Sequence, residues 1–405
     1  MIAAAASRLN RAYLDYNATA PLRADAREAA LAAMETTGNP SSVHAEGRAA
    51  RRIVEDARSE VARLAGVNSR CVTFVSGGTE AANAALNPQF GGGPNAPPLE
   101  RLIVSAGEHA CVLSGHRFPT AEEAPLLPDG RIDLGWLEAA CRRPGRALVG
   151  LQGANNETGV IQPVAEAAAL VHAAGGFMFC DAVQMAGRMP CDAAALGADA
   201  LVLSAHKMGG LKGAGALITA RAGLSLGAPL MRGGGQERGG RAGTESVATI
   251  AAFGAAARAC LAELDGEPAR LIGLRDSLTV AVRSVAADAM IFAEATSRLP
   301  NTVCFAVPGV EAATLMIALD LAGVAVSSGS ACSSGKVSPS HVLAAMGVRP
   351  DLARGAIRLS LGWASTETDV ERFATAFATV TARMRASRRG APALAVRDAP
   401  GRDSV

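Results

Sequence analysis

The sequence predicts an α/β fold in which a mainly parallel sheet forms a large domain, followed by a smaller α+β domain. First, short apolar runs alternate with helix-like segments between residues 50 and 220, which is typical of a parallel sheet covered on both faces. Second, 405 residues are too many for one ordinary hydrophobic core. Third, a glycine-rich stretch at Arg232–Gly243 ends the alternation. We therefore expect a second domain after that stretch.

The predicted strands of the large domain are short apolar runs. They are Val72–Ser76, Arg101–Ser105, Ala147–Gln152, Phe177–Asp181, Ala200–Ser204 and Ala216–Thr219. The intervening helix Pro163–Ala174 opens with proline and ends before two glycines, which are common start and stop signals. Ligands of open α/β sheets bind outside the carboxyl ends of the strands. Residues directly after each strand are therefore the first candidates for a site.

The second half of the chain predicts helices and strands in a different order. We expect a long helical region, a strand, a helix, a Gly/Ser loop and a strand, at Val247–Ala287, Thr302–Val307, Glu311–Ala322, Ser327–Gly335 and Ile357–Leu361. The resulting division is a lead-in at 1–12, a large domain at 13–255, a small domain at 256–385 carrying the cysteine loop 327–335, and a disordered tail at 386–405. The first residues of the large domain could pack with the small one.

Composition excludes several classes of function. The net charge is +2, with basic and acidic residues mixed along the chain, which predicts neither nucleic acid nor a membrane surface as a partner. No apolar run approaches the roughly 18 residues of a membrane span. None of the 8 cysteines falls in a C-x-x-C pair, so we expect no metal. A soluble cytoplasmic protein is the expectation.

A lysine follows one of the predicted strands. Lys207, in Ser204-Ala-His-Lys207, is one of only three lysines, the others being Lys212 and Lys336. Lysine amines form Schiff bases with carbonyl compounds, commonly with pyridoxal phosphate. A solvated surface lysine is the alternative reading, and Lys207 alone does not decide between them.

Two further elements favour a pyridoxal-phosphate site. Asp181 ends the apolar strand Phe177–Asp181, where a carboxylate can pair with a protonated pyridine nitrogen, and Gln184 could bond the ring hydroxyl. Ser76-Gly-Gly-Thr79-Glu80 follows another strand and precedes a helix-like run. Its glycines and helix N-terminus can hold a phosphate. Cup, acid and lysine occur in the order of a fold-type I pyridoxal-phosphate enzyme.

Longer motifs make the resemblance specific. They are Tyr13-Leu-Asp-Tyr-Asn-Ala-Thr-Ala-Pro21, Asn155-Asn-Glu-Thr-Gly159, Cys180-Asp-Ala-Val-Gln184, Ser204-Ala-His-Lys207, Arg241-Ala-Gly-Thr-Glu245 and Ser327-Ser-Gly-Ser-Ala-Cys-Ser-Ser-Gly335. From Tyr13 to Thr366 the chain resembles the group I, NifS/IscS-like cysteine desulfurases of the class V aminotransferase family. The resemblance implies a fold-type I transferase with a mainly parallel seven-stranded sheet.

The resemblance also implies site residues and partners. The cofactor would be pyridoxal 5′-phosphate and the enzyme a homodimer with shared sites. The residues holding the cofactor would be Gly78, Thr79, His109, Asn156, Asp181, Gln184, Ser204, His206, Lys207 and, reaching the partner subunit's phosphate, Thr244. His109 would stack on the ring and shuttle protons. Asn39, Asn156 and Arg358 would bind the substrate, with Arg358 gripping its carboxylate.

Cys332 is the expected sulfur acceptor. It lies among serines and glycines, a setting suited to a carrier nucleophile. By contrast, Cys180, Cys260 and Cys304 lie in apolar segments and are predicted to be core residues. L-Cysteine would give L-alanine and a persulfide on Cys332, for iron–sulfur cluster assembly or another sulfur acceptor or scaffold protein. Selenocysteine lyase, an aminotransferase and a non-catalytic sulfur-relay subunit are the alternatives.

Overall fold

The computed structural model describes residues 11–92, 96–227, 229–328 and 339–390. Its strands are β1 (Ala12–Tyr13), β2 (Val72–Val75), β3 (Arg101–Ser105), β4 (Glu122–Ala124), β5 (Ala147–Gln152), β6 (Phe177–Asp181), β7 (Ala200–Ser204), β8 (Gly215–Thr219), β9 (Met290–Ile291), β10 (Thr302–Ala306), β11 (Val324–Ala325), β12 (Ser327–Ser328) and β13 (Ala356–Ser360). Its helices are α1 (Ala24–Met34), α2 (Ala45–Leu64), α3 (Gly78–Ala85), α4 (Ala110–Leu113), α5 (Leu134–Cys141), α6 (Val164–Ala173), α7 (Val247–Glu263), α8 (Glu267–Val285), α9 (Ala312–Leu321), α10 (His341–Ala345), α11 (Pro350–Ala353) and α12 (Glu367–Gly390).

A seven-stranded sheet forms the centre of the larger part, in the order β2-β8-β7-β6-β5-β3-β4. Only β8 runs antiparallel to its neighbours, β2 and β7, and the other pairs are parallel. Successive residues of β5 contribute to different cores: Leu148 lies in one apolar cluster and Val149 in another. Alternate side chains of a strand point to opposite faces, so both faces are covered. The predicted α/β fold with a mainly parallel seven-stranded sheet is confirmed.

A smaller four-stranded antiparallel sheet has the order β12-β13-β10-β9. Its core is separate, and the rings of Phe305, Phe373 and Phe377 pack together in it. The N-terminal strand β1 pairs in parallel with β11. Strand β1, near the start of the chain, therefore packs against the smaller part of the structure, which is formed by residues from the C-terminal third of the sequence.

The long predicted helical region Val247–Ala287 is divided into α7 and α8. The two helices meet at an angle of 81°, with a short break that contains Gly266, the residue before α8. Within the ranges described, no single helix has the length and apolar character to cross a bilayer, although the bent pair α7–α8 passes that test when taken together.

The segment predicted to be a disordered tail overlaps the end of the last helix. Helix α12 continues through Gly390, so the first residues of the expected disordered segment 386–405 are helical. The Arg- and Ala-rich sequence up to Gly390 has good helix propensity, and Phe373 and Phe377 of helix α12 share a core with residues of α8. Residues 391–405 lie outside the described part of the chain.

Candidate active site

A cavity of about 300 Å³ lies outside the carboxyl ends of the large sheet's strands. Its volume falls at the lower end of the range for small-molecule pockets, roughly 300–1,000 Å³. Most of the residues singled out in the sequence line it: Gly78, Thr79, His109, Asn156, Asp181, Gln184, Ser204, His206, Lys207 and Arg358. The topology thus brings together residues that lie in, or shortly after, β2, β3, β5, β6, β7 and β13.

The turn from β2 into α3 forms a cup for an anion. Helix α3 begins at Gly78, and Gly77 before it provides no side-chain cap, so the first N–H groups of the helix can serve a ligand. A Cβ atom on Gly78 would lie 3.2 Å from Val183 Cγ2 and 3.6 Å from Ser204 Cβ. The absence of a side chain on Gly78 therefore keeps this end of the cavity open.

His206 adds a neutral imidazole to this end of the cavity. Burial lowers its pKa to about 4, and the charges of Lys207 and Lys212 act in the same direction. The Nδ1 atom lies 3.1 Å from Thr19 Oγ1. His206 can therefore offer a hydrogen bond to a phosphate without titrating near neutral pH.

Lys207 follows β7 in a single 3-10 turn, Ala205–Lys207. Its Nζ donates hydrogen bonds to the backbone oxygens of Asn17, at 2.6 Å, and Ala18, at 2.9 Å. Both acceptors belong to the segment that follows β1. The amine is thus held inside the cavity by main-chain carbonyls, from which it can be released at a modest cost in hydrogen-bond energy.

Asp181, at the end of β6, is a buried carboxylate that lines the cavity. Its Oδ1 accepts a hydrogen bond from Val183 N at 2.9 Å. Burial raises its pKa, and the hydrogen bond and the positive charges of His109 and Lys207 lower it in part. A protonated ring nitrogen beside Asp181 would be a further favourable partner for the charged form.

Glu108 is a second buried acid near Asp181 that the sequence reading did not single out. Burial raises the pKa of Glu108 well above its usual value, and the negative charge of Asp181 adds to this. One carboxylate oxygen accepts from Gln152 N, while Glu108 Oε2 has no hydrogen-bond partner among the described residues. Burial therefore disfavours the charged form of both acids, and the charge of Asp181 disfavours it further at Glu108, whereas His109 and Lys207 favour the charged form of Asp181.

His109 caps the short helix α4. Its Nδ1 accepts a hydrogen bond from Cys111 N at 3.1 Å and lies 3.0 Å from Cys111 Sγ. Because Nδ1 is an acceptor, a neutral His109 ring carries its proton on Nε2. Cys111 also lines the cavity. Its position two residues after His109, a predicted site residue, could have identified it from the sequence.

Arg358 reaches the cavity from β13 of the smaller sheet, where it is buried. Its Nη2 contacts Asp15 Oδ1 at 2.7 Å and its Nη1 donates to Asn156 O at 3.0 Å. The Nε atom is buried without a hydrogen-bond partner among the described residues. A substrate carboxylate would share the guanidinium with Asp15, and Arg358 has five N–H donors with which to do so.

Two of the predicted residues that the structure describes do not line this cavity. Asn39 is exposed in the loop before α2, where its Oδ1 accepts from Ser41 N at 2.9 Å. Thr244 is also exposed, and its expected role concerns a partner subunit. Cys332 lies outside the described residues. Cys180, Cys260 and Cys304 are buried, as predicted for core cysteines.

Several residues that line the cavity were not predicted from the sequence. They are Asn17, Ala18, Cys111, Gln152, Ala154 and Val183. Gln152 ends β5, so the rule that ligands bind at strand ends could have found it. Asn17 follows β1 outside the large sheet, and no local pattern places it next to Lys207.

Pyridoxal phosphate fits this set of residues: an open anion cup, a buried acid and a lysine amine face one cavity of suitable size. With a seven-stranded, mainly parallel sheet, these features define the fold-type I class of enzymes. The chain belongs to the class-V aminotransferase family, whose model matches residues 12–373. Members of that family depend on pyridoxal phosphate.

Proteins similar to this chain are named cysteine desulfurases or NifS-like proteins. A protein of Cereibacter sphaeroides named cysteine desulfurase is 39% identical over 93% of this chain and 97% of its own length. An IscS-like cysteine desulfurase of Mycobacterium tuberculosis is 40% identical over 89% of this chain and 93% of its own. The X-ray structure of a NifS-like protein from Rickettsia africae is 31% identical, with a TM-score of 0.82 over 91% of this chain and 99% of that one.

Proposed function

We propose that this protein is a cysteine desulfurase that uses pyridoxal 5′-phosphate to convert L-cysteine into L-alanine and an enzyme-bound persulfide on Cys332. The observation that carries the proposal is the convergence of Gly78, Asp181 and Lys207 on one cavity. The similarity to several proteins named cysteine desulfurases supports the choice of reaction. In this proposal the chain has a large domain at 13–255 and a small domain at 256–385, the division predicted from the sequence.

Residues of the large sheet would hold the cofactor. Its phosphate would occupy the cup, which is formed by Gly78, Thr79, Ser204 and His206. Asp181 would keep the ring nitrogen protonated, and His109 would lie against the ring. Asn156 and Gln184 would contact the ring oxygen. When bound, pyridoxal phosphate supplies a carbonyl carbon for the amino group and a pyridinium ring that withdraws electrons.

Lys207 would move the proton from the Cα atom of the substrate. An amine can accept this proton only when it is uncharged, and Lys207 Nζ already lies in the cavity, 2.6 Å from Asn17 O. Arg358 would hold the substrate carboxylate and thereby present one face of the Cα atom to the amine. Asn39 would help to place the substrate, although it does not line the cavity as it stands.

Cys332 would take the sulfur as a thiolate. An S–S bond forms between Cys332 and the substrate sulfur while the Cβ–S bond of the substrate breaks. The electron pair of that bond stays with Cβ, which is protonated to the methyl group of alanine. The outer sulfur of the persulfide would then pass to a nucleophile of an acceptor or scaffold protein, as in iron–sulfur cluster assembly, and Cys332 would return to its thiolate. The working unit would be a cytoplasmic homodimer to whose shared sites Thr244 contributes.

The test is to mix the purified holoenzyme with L-cysteine and a thiol reductant and to measure sulfide and alanine together. Equal amounts of the two products are expected. Cys332→Ala should abolish both products while the visible absorption of the cofactor remains. Cys141→Ala is the matched control, because Cys141 is a partly buried free cysteine that does not line the cavity.

Two outcomes would contradict the proposal. Alanine formation at the wild-type rate by Cys332→Ala would remove Cys332 from the reaction. Turnover of selenocysteine alone, or transfer of the amino group to a keto acid without sulfide, would assign the chain to another reaction on the same fold.

A further inference from the structure

Arg188 is a buried cation close to the candidate cavity. It follows β6 by a few residues and is only 5% exposed. Burial lowers its pKa to about 10, and the charge of Arg358 acts in the same direction. Among the described ion pairs, none joins Arg188 to a carboxylate. A buried charge is costly unless its hydrogen bonds are satisfied, so its contacts indicate what it is retained for.

The described hydrogen bonds of Arg188 go to acceptor oxygens of Gln184, which lines the cavity, and of Tyr16. Arg188 Nη1 donates to the backbone oxygen of Gln184 at 2.9 Å and to Gln184 Oε1 at 3.1 Å. Arg188 Nη2 donates to Tyr16 O at 3.4 Å. The side chain thus fixes both the backbone and the amide of a residue that lines the cavity.

The orientation of the Gln184 amide follows from these contacts. A guanidinium has only N–H donors, so the amide atom that faces it must be the oxygen. On the other side, Gln184 Nε2 donates to Asn17 O at 3.1 Å, and a backbone oxygen only accepts. Arg188 and Asn17, on different segments of the chain, therefore select the same orientation of the Gln184 amide. Without such partners the two amide orientations could not be told apart.

This orientation determines what Gln184 can offer a ligand. The amide oxygen is used by Arg188, whereas Nε2 carries a second N–H beyond the one given to Asn17. The same Asn17 oxygen accepts from Lys207 Nζ at 2.6 Å. Arg188, Gln184, Asn17 and Lys207 thus form one hydrogen-bonded series that ends at the lysine amine.

We propose that Arg188 is a positioning residue that makes Gln184 a hydrogen-bond donor, so that the site selects a bound ring whose oxygen is deprotonated. This inference rests on the proposed function, since it concerns how pyridoxal phosphate is bound. Without Arg188 only the Asn17 oxygen still selects this orientation, so the amide should turn more often to present Oε1, which favours a protonated ring hydroxyl. Arg188, which does not itself line the cavity, thus influences the ionisation of the ring oxygen.

The experiment compares Arg188→Lys, Arg188→Gln and Arg188→Met in the full-length protein. Lysine keeps only donors, glutamine offers both a donor and an acceptor, and methionine offers neither. Arg188→Met removes a buried charge but leaves the Gln184 and Tyr16 oxygens without their donor, so thermal unfolding is used to check that this variant is folded. The measurements are the dissociation constant of pyridoxal phosphate and the pH titration of its visible absorption, without cysteine.

The expected result separates the lysine variant from the other two. Arg188→Lys should bind the cofactor and titrate like the wild type. Arg188→Met and Arg188→Gln should bind it about tenfold more weakly, the loss expected for one hydrogen bond to a charged oxygen, with a shifted absorption titration. A merely structural role would change thermal stability without this shift.

An unchanged titration and affinity in both Arg188→Met and Arg188→Gln would overturn the inference. If Arg188→Met does not fold, the pair Arg188→Lys and Arg188→Gln decides it in the same way. Failure of the wild-type protein to bind pyridoxal phosphate would instead contradict the proposed function, so the two failures are distinguishable.

Discussion

The two sides of the cavity are built in different ways. The strand-end wall consists of Gly78, Asp181 and Lys207, which follow or end strands of the seven-stranded sheet. The chain-end wall consists of Asn17 and Arg358, from opposite ends of the sequence, held by the contact of Arg358 with Asp15 across 343 residues. The strand-end wall thus depends on the order of strands within one sheet, whereas the chain-end wall depends on contacts between segments that are remote in sequence.

The largest effect is expected from removing the amine of the strand-end wall. Lys207→Ala should lower turnover of cysteine by about 10²–10⁴-fold, the range for loss of a proton-transferring side chain. Lys212→Ala is the control, because Lys212 is exposed and does not line the cavity. Steady-state alanine formation measures both variants, and a comparable loss in Lys212→Ala would mean that the lysine has been assigned wrongly.

Glu157 is a buried acid influenced by the charges of Arg358 and His109, and it should make stability depend on pH. It is buried, its carboxylate accepts from Ser340 Oγ, and burial raises its pKa from 4.5 to about 7, against the lowering effects of Ser340, Arg358 and His109. Because the folded pKa is the higher one, the stabilisation is complete below pH 4.5 and is lost as the pH rises to about 7. The free energy of unfolding should fall by about 3 kcal/mol over that window from this group.

Glu157→Gln should remove this contribution, since an amide does not titrate. Denaturant unfolding between about pH 4 and about pH 8, a range that includes both the usual value of 4.5 and the folded pKa of about 7, measures the change. Glu166→Gln is the control, because Glu166 is exposed in α6 and should keep the wild-type dependence. An identical pH dependence in Glu157→Gln and the wild type would show that Glu157 is not the group responsible.

A smaller effect is expected on the chain-end wall. Arg358→Lys replaces a planar fork with a single ammonium, which cannot hold a carboxylate at two points, so KM for cysteine should rise about tenfold. The affinity for pyridoxal phosphate should change little, because that group would be held by the strand-end wall. Arg354→Lys, an exposed neighbour, should leave both constants unchanged. A loss of cofactor affinity with constant KM would reverse the assignment of the walls.

The smallest effect concerns the anion cup. Gly78→Ala places a methyl group 3.2 Å from Val183 Cγ2, which is tight enough to shift the cup, and should weaken cofactor binding by about threefold to tenfold. Gly77→Ala is the matched control, because a Cβ atom there meets nothing within 4 Å. Equal losses in the two variants would mean that the backbone of the whole turn, rather than the space at Gly78, governs binding.

The strand-end wall could be predicted because its signals are local. An apolar run that ends in Asp181, and another that ends in Ser204-Ala-His-Lys207, can be recognised in the sequence, and parallel strands bring their ends together. The bounds of those strands agree with the structure. Local chemistry therefore predicted both the fold and the side of the cavity at which the reaction would take place.

The chain-end wall could not be predicted in the same way. The contact between Arg358 and Asp15, and the orientation of Gln184 by Arg188 and Asn17, depend on packing between segments that are remote in sequence. Similarity to a family suggested Asn39 and Thr244, yet neither lines the cavity of this chain. The sequence carries the chemical groups, but only the packed structure defines their partners.

The most direct test of the proposed reaction is a single turnover followed by peptide mapping. Holoenzyme mixed with less than one equivalent of L-cysteine, without reductant, should yield one alanine for each sulfur atom added to the protein, and mass spectrometry should locate that sulfur on the peptide containing Cys332. Sulfur on the peptide containing Cys111, or alanine without any protein-bound sulfur, would contradict the account.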